Sequence, residues 1–578
     1  MRAFLSFCTI MLAGCASPQA PAGQSSANQQ PSTSAPKRLV AAVNSEPVVL
    51  DQRVSATSVT PPGTNVLDYL VNAGLANQDD AAVLQAKLAE TMPTVDNGLW
   101  KVFPDGRMQV TWKLRPGLQW QDGSPLTAAD VLFGAKLGAD TELAVFHLPA
   151  YDFVAGVQSP DPNTVVVDWT RPFIDADAMF VKVLPAHLLE QSYSSDKMSF
   201  TQLPFWSEGF VGAGPFRVQQ WDRGAQVILR AFDRYVFGRP KIDELVVKFI
   251  QDPNTLMANV LAGDIDMTLA KSLTLEQGLQ VRQQWQGGHV DVGPANWLVL
   301  FPQFVNPDPA IIGNVQFRRA VLHSLNRQEM VDTLMGGQTV VAHSFLNPNQ
   351  PQYKDIEAQI TRYDYDPRQA AQLIEGLGYS KGPDGAYRDA SSQKLVVEAR
   401  SVSTVELNQK VILAMADYLQ RIGVGVDPNV FPQQRLREQD WIAQFPGFLM
   451  YRNPNDLAGL GGLYGSRASL AENNFRVTGN NSRYMNPEFD ALLDRYFSTV
   501  PLPARIQALG AVIKHISEQL NVMGLFYDQQ PTMIASRVLN VTVTRAVNEP
   551  QAASAHLWDV QGETPGRLAG NLFAGIDA

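Results

Sequence analysis

The chain has 578 residues, 45% of them hydrophobic and 18% charged, and a formal net charge of −10. That length supplies about two to four domains' worth of chain with an ordinary globular composition. The acidic balance argues against a nucleic-acid partner.

Arg2 precedes an apolar run from Ala3 to Met11, and Leu12-Ala13-Gly14-Cys15 follows. The run is too short to cross a bilayer as a helix and has the layout of a secretory signal peptide. The Leu-Ala-Gly-Cys order resembles the lipobox of bacterial lipoproteins, which implies a signal peptide at 1–14, cleavage before Cys15 and acylation of that residue. Two or more acyl chains on one residue hold a protein stably at a membrane. Cleavage also removes Cys8, and lipidation would take the sulfur of Cys15, so no disulfide is expected and the fold must rest on its core. Residues 15–37 read as the lipidated cysteine and a flexible tether. From 16 onward the segment has four prolines and no large apolar side chain, too little to fold on its own. No later stretch offers about eighteen uninterrupted apolar residues, so membrane association is expected through the lipid alone.

From Arg38 strands and helices mix. Leu39 to Val43 is a short apolar run. Met108, Val110, Trp112 and Leu114 alternate with polar residues as in a half-buried strand, which Arg115-Pro116-Gly117 ends. Thr127 suits the cap of a helix from Ala128, with Asp130 near its positive end. Val165 to Val167, Val227 to Leu229 and Leu245 to Ile250 read as strands. Asp252-Pro253 opens a helix with Met257, Val260 and Leu261 on one face and Gly263 as its stop. The second half is more helical. Phe317 to Met335 reads as one long amphipathic stretch, Asp366-Pro367 opens a helix ended by Gly378, Asn486-Pro487 opens another, and Ile506 to Met523 forms a fourth. Strands scattered among helices without a short repeat point to α/β lobes.

Four ordered stretches carry a resemblance. The first runs from Leu88-Ala89-Glu90 to Trp112-Lys113-Leu114-Arg115-Pro116-Gly117 and on through Asp122-Gly123-Ser124-Pro125-Leu126-Thr127. The second is Gly212-Ala213-Gly214-Pro215-Phe216 with Trp221, Tyr235, Gly238 and Pro240, continuing to Gly263-Asp264-Ile265-Asp266. The third is Gln316-Phe317-Arg318-Arg319-Ala320-Val321 with Asn326-Arg327-Gln328. The fourth is Tyr484-Met485-Asn486-Pro487-Glu488-Phe489-Asp490. Together they resemble the extracytoplasmic solute-binding proteins of peptide/nickel ABC transporters, solute-binding family 5. The resemblance implies an α/β, two-lobed periplasmic-binding-protein fold of the type II-like, Venus flytrap kind with an additional subdomain. Lobe I would comprise 38–80, 208–300 and 526–578, the added subdomain 81–207, and lobe II 301–525. It further implies a monomer, lipid-anchored in the periplasm or at the cell surface, that captures a peptide-like or other small polar solute for an ABC permease. A non-transport sensor or envelope-assembly lipoprotein is the alternative use of the same fold.

The residues themselves offer little catalytic chemistry. Gly378-Tyr379-Ser380-Lys381-Gly382 matches G-x-S-x-G, but it follows a helix, where a nucleophile elbow needs a strand before and a helix after. The seven histidines show no metal-ligand spacing, no phosphate-binding loop is present, and Asp264 with Asp266 reads as exposed turn chemistry. The chain is read as no enzyme, without cofactor or metal. For the ligand site, peptide-binding relatives offer an acid to the peptide's α-amino group on the segment matching Trp441 to Asp456. Met450 falls near that acid's position, and Asp456 lies several residues later. The segment presents Trp441, Phe448 and Tyr451 for stacking and Arg452 for a carboxylate or phosphate. Trp297 and Gln303 lie on the strand that the resemblance routes through the cleft. Asn474, beside Asn473, offers an amide.

Overall fold

A computed structural model describes residues 36–54, 63–79, 83–143, 145–270, 272–403, 405–475, 479–542 and 551–561. The chain divides into the units Met1–Pro36 and Lys37–Ala578. The signal peptide, Cys15 and nearly all of the tether therefore lie outside the described residues.

The organising element of the second unit is one ten-stranded sheet. Two long antiparallel strands, Gly288–Pro302 and Met523–Ala535, run side by side through its middle. At about 3.3 Å per residue, fifteen residues reach about 50 Å, long enough to serve two lobes. Toward one end the neighbours are Met267–Thr268, Arg38–Val43, Glu244–Phe249, Gln226–Ala231 and Phe216–Asp222. Toward the other they are Phe448–Asn453, Val396–Val402 and Gly425–Phe431. Each half carries its own core on both faces. In Arg38–Val43, Leu39, Ala41 and Val43 pack with Leu67, Leu70 and Trp558, while Val40 and Ala42 pack with Val246, Leu256 and Val260. A strand covered on both faces reads as an unbroken apolar run, as this one does. In the second half, Leu298, Leu300 and Met450 face helices carrying Phe317, Ile374 and Val411, and Val299, Phe301 and Leu449 face helices carrying Phe489, Leu509 and Ile513.

A separate four-stranded antiparallel sheet joins Trp100–Val102, Met108–Lys113, Thr164–Trp169 and Val154–Asp161. The alternation at Met108, Val110 and Trp112 is buried as expected, and Thr127 and Asp130 form the two halves of a capping box on helix Ala128–Ala139. Gly212 and Gly214 are required by close approach: a Cβ on Gly212 would lie 2.0 Å from the Val71 carbonyl oxygen, and one on Gly214 2.4 Å from the Asn72 nitrogen.

Several expected elements are corrected. The stretch from Phe317 is two helices, Val315–Ser324 and Arg327–Leu334, because Leu325 is extended and Asn326 caps the second by accepting the Glu329 N–H. Helix Pro253–Ala262 buries Leu256 and Val260, four apart, and leaves Leu261 43% exposed. The last long helix, Leu502–Gln519, stops where Leu520 turns left-handed, and Met523 already belongs to the second long strand. Asp266 is no exposed turn residue. It is buried, ion-paired with Arg537 at 2.6 Å, and accepts the Val40 N–H. Ser380, in the G-x-S-x-G match, lies exposed on a two-residue strand paired with Tyr387–Arg388, the wrong setting for a nucleophile elbow.

Candidate functional site

The register of the sheet shows where the carboxyl ends of its strands meet. Arg38–Val43 runs parallel to Glu244–Phe249 and Met267–Thr268, and Met267 pairs with Ile534, near the far end of its long strand. These three strands therefore run toward the middle of the long pair. Val396–Val402, Gly425–Phe431 and Phe448–Asn453 are also mutually parallel, and Phe448 pairs with Pro302 while Asn453 pairs with Trp297. They too run toward the middle. Both half-sheets thus aim their carboxyl ends at one place, and in α/β sheets ligands bind beyond the carboxyl ends of strands. The long strands are irregular there, with a register shift between Pro294 and Trp297 opposite Tyr527 to Gln529.

Several polar groups gather at this crossing. Arg452, on the neighbouring strand, ion-pairs with Asp528, which is 2% exposed. Burial pulls the Arg452 guanidinium down to about 10, so it remains charged at neutral pH. The Arg452 Nε, Asn296 Oδ1, Gln530 Oε1 and Asn455 Oδ1 atoms are buried without a hydrogen-bond partner. Buried polar atoms are rarely left unmatched.

The candidates from sequence fare differently. Tyr451 is half-buried at the cleft end of its strand, its hydroxyl pushed up to about 12 by burial. Trp441 is stacked between two guanidiniums, Arg400 at 3.8 Å and Arg435 at 3.5 Å from its ring centroid, with Phe431 edge-on at 5.2 Å. Both of its faces are taken, so it acts as a wall rather than as a stacking platform. Trp297 is 1% exposed against Phe345. Gln303 and Phe448 are corrected to packing residues. Both are 0% exposed, and Gln303 donates to the Ala443 and Phe445 carbonyls at 3.1 and 2.7 Å and accepts the Val305 N–H. They lie at the end of the sheet away from the crossing. Met450 is likewise in the core, paired with Leu300. Asp456 lies just past the strand, where it caps a short 3-10 helix by accepting the Gly459 N–H at 2.9 Å. Asn474 is exposed and left-handed at the end of a 3-10 turn, with no geometry tying it to the crossing.

Sequence reasoning missed Asp528, Asn296 and Gln530. Asp528 had a signal, an acid directly after the apolar Met523-Gly524-Leu525-Phe526-Tyr527 run. It also missed Asp175 and Asp177 on the turn Ile174–Ala178, which bring two carboxylates toward Asp456 and Arg505.

The sequence model of bacterial extracellular solute-binding proteins, family 5, middle region, matches residues 85–470. A putative ABC transporter peptide-binding protein of Brucella ovis is 26% identical over 332 residues, 57% of this chain and 58% of that one. The match thus spans little more than half the length of that relative. The oligopeptide-binding protein AppA of Bacillus subtilis is 23% identical over 459 residues, covering 76% of this chain and 77% of AppA. Its solved structure in complex with a nonapeptide has a TM-score of 0.70 over 91% of this chain and all of that one, at 18% identity. NikA of Brucella suis, solved with Fe(III)-EDTA, gives 0.73 over the same shares at 15% identity. No helix among the described residues is long and apolar enough to cross a membrane. The length of the family match, two lobes threaded on a shared pair of strands and the added four-stranded subdomain agree: this chain belongs to the bacterial extracellular solute-binding proteins, family 5.

Proposed function

We propose that this protein captures a peptide-like or other small polar solute in the cleft at the strand crossing and presents it to an ABC permease, without covalent chemistry. The supporting observation is the convergence of both half-sheets' carboxyl ends on a crossing that holds buried polar atoms without partners. The relatives named for peptides fit the solute class. On this reading Tyr451 and the Arg452–Asp528 pair form the floor, and Asp456 takes the place of the acid that meets a peptide's ammonium. Lobe I comprises 38–80, 208–300 and 526–578, the subdomain 81–207 and lobe II 301–525. The protein acts outside the cytoplasm as a monomer, held to a membrane through acylated Cys15.

Native mass spectrometry of the unit from Lys37 tests the capture. A co-purifying peptide or polar solute, displaced on unfolding and lost in Tyr451→Ala, supports it. An empty protein that binds no member of an oligopeptide panel by calorimetry overturns it. Incorporation of radiolabelled palmitate, lost in Cys15→Ser, tests the anchor.

A further inference from the structure

Between the four-stranded subdomain and the helices Pro487–Ser498 and Leu502–Gln519 lies a contact with two halves of opposite character. One half is adhesive. Trp169 stacks on Phe173 at 5.6 Å, Phe173 on Phe497 at 6.2 Å and Phe497 on Tyr464 at 6.2 Å, with interplanar angles of 23°, 20° and 28°. Arg171 lies 3.8 Å over the Phe153 ring and 3.6 Å from Asp494. Ile174 is 3% exposed within the second-lobe core.

The other half is repulsive. One residue beyond Ile174, Asp175 enters the same contact, and Asp177 follows. The titratable and charged groups facing this pair come from three elements: Arg505 from helix Leu502–Gln519, Tyr496 from helix Pro487–Ser498 and Asp456 from the turn before Leu457. The strand Ala76–Gln78 behind the turn brings no charge. Among the described residues Arg505 is the one cation pulling on either carboxylate, and it makes no ion pair with them within 4.0 Å. Burial first, then Asp177 and Asp456, pushes the Asp175 carboxyl up to about 7, and burial pushes Asp177 up to about 6.

We propose that this contact is a charge gate on closure of the cleft, in which the aromatic stack pulls the subdomain onto the second lobe and Asp175 with Asp177 holds it off until a proton or a cationic group of the solute neutralises them. The inference rests on the capture reading for its purpose, but the gate is testable without any solute. A carboxyl whose pKa is higher in contact than in solvent favours contact below its solvent value, and that preference is lost as pH rises through its value in contact. For this pair the loss falls mainly between about pH 4 and 7. Each pH unit across that range shifts closure by up to about tenfold for each group.

The experiment uses the unit Lys37–Ala578, stripped of solute by unfolding and refolding, between pH 5 and 8. Small-angle scattering reports compaction, and pH-corrected hydrogen exchange reports protection at residues 173–178. The expected result is a compact, protected protein at pH 5 that opens toward pH 8. The double substitution Asp175→Asn and Asp177→Asn should stay compact at pH 8, and Phe173→Ala should be open at both. Equal compaction of the native protein at both pH values, or a double variant that still opens, overturns the gate. Circular dichroism at both pH values separates opening from unfolding. If the gate is present but peptides do not bind, the capture reading fails and the gate stands.

Discussion

Removing the Arg452 guanidinium should destabilise the protein through the residue left behind. Asp528 is 2% exposed, and Arg452 itself only 26%. The remaining hydrogen bond to Asp528 among those described is the Gln529 N–H at 2.9 Å. Deleting one partner of a buried pair typically costs about 3–5 kcal/mol, because the surviving charge is stranded away from water, whereas replacing both partners with apolar groups of similar volume is close to neutral. An unfolding entropy of about 2.1 cal/mol/K per residue gives about 1.1 kcal/mol/K for the unit Lys37–Ala578. Arg452→Ala should then lower a cooperative Tm by about 3–5 °C. Arg452→Met combined with Asp528→Leu should recover most of that loss. Calorimetric melts of the four members of the cycle measure it, and peptide titrations on the same samples separate two roles. If Arg452 serves the solute only by keeping the floor intact, the stable double variant binds again. If the guanidinium touches the solute, binding stays lost while stability returns. An Arg452→Ala melt indistinguishable from the parent would refute the claim that this pair is energetically buried.

Gln303→Leu should strand the Phe445 carbonyl and the Val305 N–H, at about 1–3 kcal/mol each, leaving the Ala443 carbonyl only its contact with Arg483 at 3.5 Å, and lower the Tm without changing solute affinity per folded molecule; affinity lost at an unchanged Tm would return Gln303 to the cleft. Gly212→Ala places a Cβ against the Val71 carbonyl and should cost about 1–3 kcal/mol or more, seen as a lower urea midpoint at unchanged slope. His343 is pulled down to about 4, by burial first and then by Arg327 and Arg362. Its neutral form is favoured in the fold, so its contribution is intact above its unfolded value near 6.5 and is lost as pH falls toward 4. His343→Gln should flatten the acid limb of a Tm-against-pH curve, and an unchanged limb would exclude His343 as its source.

Local chemistry was legible in the sequence wherever a residue acts within its own turn. Thr127 with Asp130, Asp252 before Pro253, Asp366 before Pro367 and Asn486 before Pro487 all cap the helices they precede, because a cap depends on backbone only two or three residues away. Asp266 was misread because its partners lie far off in sequence, Arg537 and the N–H of Val40. Leu325 and Asn326 split one apparent helix into two, since the apolar spacing continues across the break and only the cap reveals it.

The direction of the candidate segment was hidden for a related reason. From Phe448 to Asp456 the sequence gives no sign of which end meets the ligand. The answer lies in pairings with residues about 150 positions upstream, where Phe448 opposite Pro302 is deep in the lobe and Asn453 opposite Trp297 is at the crossing. With that direction set, Phe448 and Gln303 are core residues at the lobe end of the strand, and Tyr451, Arg452 and Asp456 lie toward the crossing. An acid at position 450 would be buried opposite Leu300. Asp456 has no such conflict, since it has left the sheet and faces Asp175 across the contact. On the capture and gate proposals, a free α-amino group would meet the Asp456 carboxylate from beyond the strand and those of Asp175 and Asp177 from the subdomain. N-acetylation of a bound peptide should then weaken capture most near pH 8, above the values to which Asp175 and Asp177 are raised in the contact, and the penalty should shrink toward pH 5 as that pair takes up protons. A penalty that does not change with pH would place the peptide's amino end elsewhere in the cleft.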